Sequence, residues 1–229
     1  GKTFMDYLKK TKDPRIHVYC SLKDGNTEFD KQFGLPNGYD SHTIADAPSG
    51  SFVGLENTSN FNINTILRLD APTIFLMPSE TKLLLAEAVL RNWTNGNAEV
   101  LYKEAITSSM KEQEIAYGTQ GKITDEEIET YLAQNLFSTA NNTEKLQIIG
   151  EQYWVATFIN GYESYANWRR TGYPKLIPTN YSGSMSPGVI PTRLPYPTDE
   201  YSINRANVDT ANQQQGADKV TTHIWWDID

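Results

Sequence analysis

The longest helical pattern in the chain extends from Gln147 to Arg170. Aromatic, small and apolar residues share one side of this segment: Trp154, Phe158, Gly161, Tyr165 and Trp168, with Val155 and Tyr162 beside them. A buried aromatic side chain removes roughly 150–250 Å² from water, so this stripe can anchor much of a core. We therefore expect one uninterrupted helix, the most buried in the protein, with Trp154 at its core.

The predicted helix has clear termination signals. Arg169 and Arg170 lie in its last turn, where cations favour the negative end of the helix dipole. Gly172 can adopt the left-handed conformation that closes many helices, and Pro174 prevents continuation. We expect the helix to end just before this Gly-Tyr-Pro sequence.

A helical hairpin is expected over residues 79–117. Ser79 is placed to cap a helix that reaches Trp93, and Gly96 marks a turn before a second helix, Ala98 to Tyr117. Alanines at close-packed positions make this hairpin similar to one tetratricopeptide unit. No second copy follows at the same period, so we expect one hairpin and not an array.

Two further helix starts are marked by a capping residue followed by acids. Thr124 precedes Asp125 and predicts a helix over 124–134. Thr143 precedes Glu144 and is expected to cap the central helix, which then covers 143–171.

The first part of the chain is predicted to be rich in loops over residues 15–78, after a short helix that ends before Asp13. A brief strand is expected at Ile16–Tyr19, and one or two more within Ile63–Met77. Residues 22–64 are rich in turn-forming residues. Aromatic residues are interleaved there, which favours an ordered loop packed on the helices: Phe29, Phe33, Tyr39, Phe52 and Phe61. Loops and a short helix from Thr198 to about Asn207 are expected over 174–229.

Composition restricts the class of partner. A hydrophobic content of 38% in 229 residues, with 5 Trp, 13 Tyr and 8 Phe, is typical of a globular protein. The formal charge of −8 argues against nucleic acid or an anionic membrane surface as the partner. Cys20 is the single cysteine, which excludes an internal disulfide and a cysteine metal cluster.

The sequence offers little catalytic chemistry. His17, His42 and His223 are far apart, and neither a G-x-S-x-G sequence nor closely spaced metal ligands are present, so we expect no metal and no cofactor. A glycoside hydrolase needs two carboxylates across a sugar, and with 28 acids the sequence leaves that possibility open. On the predicted helices, Glu87 is best explained as a solvated or paired residue. Glu163 is expected to pair with Arg169, Arg170 or a helix end.

Several motifs resemble the C-terminal half of SusD/RagB-type proteins. The central motif comprises Gln152, Trp154, Ala156, Phe158, Gly161, Tyr162, Glu163, Tyr165, Trp168 and then the sequence from Arg169 to Pro174. In that family the motif is a structural element. Further blocks follow in the family's order: the Gly34–Asp40 turn, Arg193–Pro197 and Ile224–Asp227.

The resemblance implies a mainly α fold. It would be the C-terminal portion of a SusD-like protein, with one tetratricopeptide-like hairpin, a long aromatic-rich central helix and extended ordered loops. We expect a single domain over residues 1–229, with the family's N-terminal helical half absent from this chain. On this basis the chain alone should bind glycan weakly or not at all and should self-associate through the hairpin.

The resemblance also implies a function. Proteins of this family are nutrient-binding lipoproteins on the extracellular face of the Bacteroidetes outer membrane. They capture oligosaccharide or another nutrient and deliver it to a SusC-like TonB-dependent transporter. The full-length protein would be anchored by lipid, and this chain would be soluble. Family position makes the loop residues Asn37, Tyr39, Asp40 and Phe52 the expected ligand contacts. Two other classes stay open: a glycoside hydrolase using a carboxylate pair, and a helical protein-interaction scaffold.

Overall fold

The computed structural model describes residues 1–39, 42–179 and 183–227. The described residues divide into two compact units, Gly1–Pro174 and Lys175–Asp229. Both contain helices joined by long irregular segments, which confirms the predicted mainly α fold class. That the two units belong to one domain stays a prediction.

The first unit contains seven of the described helices and two short strands. The helices are α1 (Lys2–Thr11), α2 (Ile16–Tyr19), α3 (Pro78–Leu90), α4 (Ala98–Tyr117), α5 (Asp125–Gln134), α6 (Asn142–Ala156) and α7 (Gly161–Thr171). The strands β1 (Cys20–Ser21) and β2 (Asn60–Phe61) pair antiparallel, with Cys20 opposite Phe61.

Helices α3 and α4 form the predicted hairpin, but α3 begins two residues before the expected Glu80 and ends at Leu90, short of the expected Trp93. Pro78 occupies the first helical position, where its fixed φ and missing N–H are tolerated. The Glu80 carboxylate accepts a hydrogen bond of 2.9 Å from the Met77 N–H, so it satisfies this end of the helix. The Ser79 hydroxyl donates instead to Glu112 Oε2 at 2.6 Å and connects the two helices. The prediction that Ser79 caps α3 was therefore wrong.

The core of this unit surrounds α4, which packs against α3, α5 and α6. Buried apolar side chains converge there from the four helices: Leu83, Ala86, Tyr102, Ala105, Ile106, Met110, Ile128, Tyr131, Ile149 and Val155. α4, and not the predicted central helix, is the element around which the unit is packed.

The predicted central helix is two helices, because residues 157–160 interrupt it between α6 and α7. Its first cap also differs from the prediction. Asn141 accepts a hydrogen bond of 3.0 Å from the Glu144 N–H, so α6 begins before Thr143.

The interruption has a local cause. The Thr157 hydroxyl donates to the carbonyl of Tyr153 at 2.8 Å, within the last turn of α6. Asn160 then accepts a hydrogen bond of 3.3 Å from the Glu163 N–H and starts α7. The prediction of one uninterrupted helix was wrong because Asn160 followed by Gly161 forms a turn and a new cap.

The aromatic stripe divides at this interruption. Trp154 and Phe158 are half-buried and contact Phe4, with ring centroids 4.9 Å and 4.3 Å away. Tyr165 and Trp168 stack on each other in α7, with centroids 6.2 Å apart. The stripe is therefore two separate clusters, and Trp154 lies at the margin of the core.

The residues that flank the stripe also separate. Val155 is fully buried, as expected, whereas the Tyr162 side chain is 93% exposed and Gly161 is exposed. The fully buried polar residue Gln152 shares the inward side of α6 with Tyr153. The buried side of α6 thus contains both polar and apolar side chains.

The end of α7 agrees with the sequence. Arg169 and Arg170 occupy its last turn, and Gly172 closes it with a φ of 69°. This φ lies in the left-handed region, which favours glycine. Pro174 follows and ends the first unit.

Both segments predicted as strands differ from the prediction. Ile16–Tyr19 is the helical turn α2, because Asp13 Oδ1 accepts a 3.0 Å hydrogen bond from the Arg15 N–H and starts a turn. Residues 63–77 form turns and unpaired extended chain. The Leu67 N–H donates to the carbonyl of Asn62 at 3.1 Å, which bends the chain away from a strand.

The second unit carries α8 (Thr198–Ile203) and α9 (Arg205–Gln215), where one short helix was predicted. Asp218 organises it by accepting hydrogen bonds from Arg193 Nη2 at 2.8 Å and from the Tyr201 hydroxyl at 2.6 Å. The Tyr196 N–H also donates to Asp218, at 3.1 Å. The Arg193–Pro197 motif therefore has a structural role in this unit.

Candidate functional site

The long loop between β1 and β2 is held on α1 by one backbone hydrogen bond and closed on itself by another. The Lys2 N–H donates to the carbonyl of Leu35 at 2.7 Å, and the Ser59 N–H donates to the carbonyl of Phe33 at 2.8 Å. Gln32 is fully buried inside the loop, donates to the Asn26 carbonyl at 2.9 Å and accepts from the Ser59 hydroxyl at 2.8 Å. The loop is therefore packed and internally bonded, although it lacks long regular elements.

A cavity of about 310 Å³ lies between this loop, α1 and the segment after α6. We name it the loop cavity, and its lining includes Phe4, Phe61, Phe158, Gly34, Ser59 and Asn60. Apolar walls with a few polar groups are typical of sites that bind small molecules. A sugar has the complementary surface, with an apolar ring face and a rim of hydroxyls.

The Phe158 ring contacts the other two phenyl rings of the loop cavity. Phe4 and Phe158 stack with their centroids 4.3 Å apart and their planes 5° from parallel. Phe61 lies against Phe158 at 5.6 Å and is 50% exposed. A firmly packed pair of rings thus supports a third ring that is open to a ligand.

Of the predicted ligand residues, only Asn37 is placed next to this cavity. Asn37 lies at its edge, because its side-chain oxygen lies against Gly1 and its amide donates to Thr3 Oγ1 at 3.0 Å. Tyr39 and Phe52 are half-buried, and neither is among the residues that line the loop cavity. Asp40 lies outside the described residues.

A second depression, of about 600 Å³, lies between α5 and the start of the long loop. We name it the α5 cleft, and its lining includes Lys12, His17, Phe29, Asp30, Glu126 and Tyr131. Sequence analysis did not identify it, because its walls come from segments about a hundred residues apart that only the fold brings together. The only visible signal was the acid-rich start of α5, which had been interpreted as a helix cap.

The Arg170 side chain joins α7 to α3 through Glu87. Arg170 donates to both oxygens of Glu87, at 2.6 Å and 2.8 Å, and Arg91 Nε donates to Oε1 at 2.7 Å. Burial of Glu87 acts to raise its pKa, but the two arginines outweigh it and the pKa is lowered. The prediction allowed Glu87 to be either solvated or paired, and its pairing is confirmed.

Glu163 has a different partner from the one predicted. It accepts a hydrogen bond of 2.7 Å from the Tyr153 hydroxyl. Burial and this contact with the carboxylate raise the pKa of Tyr153 above its ordinary value. The expected pairing with Arg169 or Arg170 was wrong, since Arg170 turns towards Glu87.

Two absences concern the described parts of the chain. Within residues 1–39, 42–179 and 183–227, no cluster of His, Cys, Asp and Glu side chains has an arrangement that could hold a metal ion. No helix in the same ranges has the length and the apolar character that a membrane crossing requires.

Comparison with known proteins identifies the family. Residues 1–197 match the SusD-like family model described as starch-binding and associating with the outer membrane. No curated protein matches the chain.

Solved structures of similar fold extend over the whole chain. A chitin-binding protein is 29% identical to this chain with a TM-score of 0.77, and the match covers 100% of this chain and 50% of that protein. A SusD homologue from Bacteroides fragilis is 26% identical with a TM-score of 0.80, over 99% of this chain and 51% of that one.

A chitin-binding SusD homologue from Flavobacterium johnsoniae is 26% identical with a TM-score of 0.68, over 97% of this chain and 48% of its own length. The chain thus spans about half the length of these structures. The family match covers most of the chain, and the helical fold agrees with it. The chain therefore belongs to the SusD-like family.

Proposed function

We propose that this chain is part of a surface protein that captures a glycan and delivers it to a SusC-like TonB-dependent transporter. The full-length protein is held by a lipid anchor on the extracellular face of the outer membrane. The chain contributes binding surface and performs no bond cleavage.

The half-exposed ring of Phe61 in the loop cavity is the observation that carries this proposal. An open aromatic ring, supported by packed rings and bordered by Ser59 and Asn60, suits the apolar face and the hydroxyl rim of a sugar. The family is described as starch-binding, and two similar structures are of chitin-binding proteins. A neutral glycan is therefore the proposed ligand of the loop cavity.

The four loop residues expected from family position complete the proposed site. Asn37 lies next to the cavity edge and can offer amide groups to a sugar hydroxyl. Tyr39 and Phe52 lie on the same loop and would extend the surface along a longer glycan. Asp40 follows Tyr39 directly in the chain and is included on that ground.

Enzymatic hydrolysis is disfavoured by how the candidate carboxylates are engaged. Glu87 is bound by two arginines, and Glu163 accepts from Tyr153, so neither is placed as a free acid or nucleophile. Proteins of this family bind their ligands and are not enzymes. A scaffold built of repeated hairpins is also disfavoured, since α3 and α4 form the one such hairpin in the part of the chain that the structure describes.

Incubation with a panel of oligosaccharides tests this proposal. Maltoheptaose and N-acetylchitohexaose would be titrated into the chain, and the mixtures would be analysed for shortened products. We expect reversible binding of at least one oligosaccharide with every chain length preserved. Product release on a catalytic timescale, or no binding of any glycan at millimolar concentration, would contradict the proposal.

A further inference from the structure

The α5 cleft has the size of a ligand site and lies apart from the loop cavity. Its volume of about 600 Å³ falls within the range of about 300–1,000 Å³ that is typical of small-molecule sites. The residues that line the loop cavity do not line the α5 cleft. A ligand could therefore occupy the two places independently.

An aromatic ring forms part of the cleft wall. Phe29 begins a short turn of helix in the long loop and is half-buried, with its ring packed against the edge of the core. Tyr131 lines the cleft from α5 and is almost fully buried, so its position is fixed by the core. A fixed wall with a partly open ring offers the apolar surface on which a sugar ring can lie.

The charged groups of the cleft are mainly acidic. Asp30 and Glu126 come from different segments and are both exposed. Glu127 also lines the cleft, but its carboxylate accepts hydrogen bonds of 2.8 Å from the Thr124 N–H and hydroxyl. The facing cation is Lys12, and His17 contributes an imidazole. Lys9 also lies beside Asp30, because its ammonium donates to the Asp30 carbonyl at 3.1 Å. Three carboxylates against two lysines leave the cleft negatively charged.

We propose that the α5 cleft binds a glycan unit that carries a free amino group, with its ring face on Phe29 and its ammonium near Asp30 and Glu126. The cleft then disfavours uronic acids and sulfated sugars, because their charges repel the carboxylates. This inference rests on the proposed function and assigns a second glycan subsite to the same chain. The chain would hold a neutral glycan in the loop cavity and a cationic glycan unit in the α5 cleft.

Titration with hexamers of similar length and different charge tests this subsite. The ligands are the hexamer of glucosamine, N-acetylchitohexaose, a hexamer of galacturonic acid, and hexalysine as a cationic peptide control. Binding would be followed by amide chemical shifts of the isotope-labelled chain, which report both affinity and location. We expect the glucosamine hexamer to shift amides around Phe29 and Glu126, and the galacturonate hexamer to leave them unchanged.

Two variants separate the ring from the charges. Asp30→Asn with Glu126→Gln should weaken binding of the glucosamine hexamer about tenfold, and Phe29→Ala should do the same. The control pair Glu114→Gln with Glu129→Gln removes the same net charge from exposed positions outside the cleft and should leave affinity unchanged. Since Asp30 and Glu126 are exposed, their amide variants retain the fold even if Phe29→Ala does not.

The outcomes distinguish this inference from the proposed function. Phe61→Ala should weaken binding of N-acetylchitohexaose in the loop cavity at least about tenfold and leave binding of the glucosamine hexamer in the cleft unchanged. If neutral glycans bind at the loop cavity while the glucosamine hexamer ignores the Asp30 and Glu126 changes, the second subsite is wrong and the function stands. Equal effects of the cleft pair and the control pair would also overturn it. If hexalysine bound in the cleft and the glucosamine hexamer did not, the cleft would be a peptide site and the inference would be wrong.

Discussion

Arg15 Nη2 lies 2.7 Å from the side-chain oxygen of Gln152, a residue 137 positions further along the chain. Arg15 is fully buried, and it also donates to Asp13 and, at 2.9 Å, to Ser109 on α4. Burial acts to lower the pKa of Arg15, but Asp13 outweighs it and the pKa is raised. One guanidinium thus joins the start of the loop region to α4 and α6.

Removal of this guanidinium should be strongly destabilising. Arg15→Met leaves the Asp13 carboxylate buried without its partner, so we expect a loss of about 3–5 kcal/mol in the free energy of unfolding. Urea denaturation would measure it, with Lys10→Met at an exposed position of α1 as the control. Equal stability of the two variants would show that the buried pair does not hold these elements together.

Trp154 provides a test of the divided aromatic stripe. The ring is half-buried against Phe4 and Tyr7, with centroids 4.9 Å and 5.9 Å away. Trp154→Ala should therefore cost about 2–4 kcal/mol, near or below the usual range for removal of a fully buried aromatic. Thermal or urea unfolding would measure the change.

Tyr162→Ala is the matched control in the same predicted stripe. Because this side chain is 93% exposed, the variant should stay within about 0.5 kcal/mol of the parent. If Tyr162→Ala lost as much free energy of unfolding as Trp154→Ala, the stripe would be continuous and buried, which would contradict the break at 157–160.

Glu87 should make stability depend on pH. Its pKa in the folded chain lies below its ordinary value of 4.5, so the stability it contributes is complete above the unfolded pKa and is lost as pH falls through the folded pKa. Glu87→Gln should cost about 1.5–3 kcal/mol at neutral pH, the usual range for hydrogen bonds to charged groups. The difference between the two proteins should shrink below pH 4.5.

Glu80→Gln should behave in the opposite way. Burial raises the pKa of Glu80 above its ordinary value, so the folded chain is penalised when this carboxylate is ionised. The variant should gain stability relative to the parent as pH rises from the unfolded pKa through the raised folded pKa, and the gain should be complete above it. The free energy of unfolding of Glu80→Gln and of Glu87→Gln would be measured at several pH values beside the parent. If both variants changed with pH in the same direction relative to the parent, the two carboxylates would not have opposed environments.

The hairpin surface should promote self-association. Apolar side chains on α3 and α4 are exposed: Leu84, Leu85, Val100 and Ile115. Ile115→Lys should reduce the weight-average mass at high protein concentration, as measured by analytical ultracentrifugation, because Ile115 is 83% exposed and contacts solvent. Leu194→Lys, at an 84% exposed position in the second unit, is the control. Association that is insensitive to Ile115 and sensitive to Leu194 would place the contact elsewhere.

Local sequence signals predicted the hairpin and the ends of α5 and α7, because caps, glycines and prolines act within a few residues. Aromatic periodicity over residues 154–168 predicts one helix, whereas the turn signal that breaks it, Asn160–Gly161, occupies only two residues. Ile16–Tyr19 was assigned to a strand from its β-branched residues, whereas the Asp13 turn and core contacts make it helical.

The candidate site was less accessible to sequence reasoning. Family position points to residues of the long loop, but the open ring of Phe61 depends on its contact with Phe158, almost a hundred residues away. The α5 cleft likewise unites Phe29 with Glu126 across the fold. Sequence periodicity reports the buried side of one element, and it does not report which distant elements enclose a cavity.

The central claim is that the loop cavity binds a neutral glycan through Phe61. Amide chemical-shift mapping of the labelled chain with N-acetylchitohexaose and maltoheptaose at millimolar concentration tests it most directly, with Phe61→Ala beside Phe75→Ala. Both rings are at least half exposed, and Phe75 does not line the cavity, so folding is preserved in each variant. We predict weak binding that shifts the amides of Gly34, Ser59 and Asn60 and weakens at least about tenfold in Phe61→Ala alone. Absence of shifts at these amides, or equal binding by the two variants, would contradict the account.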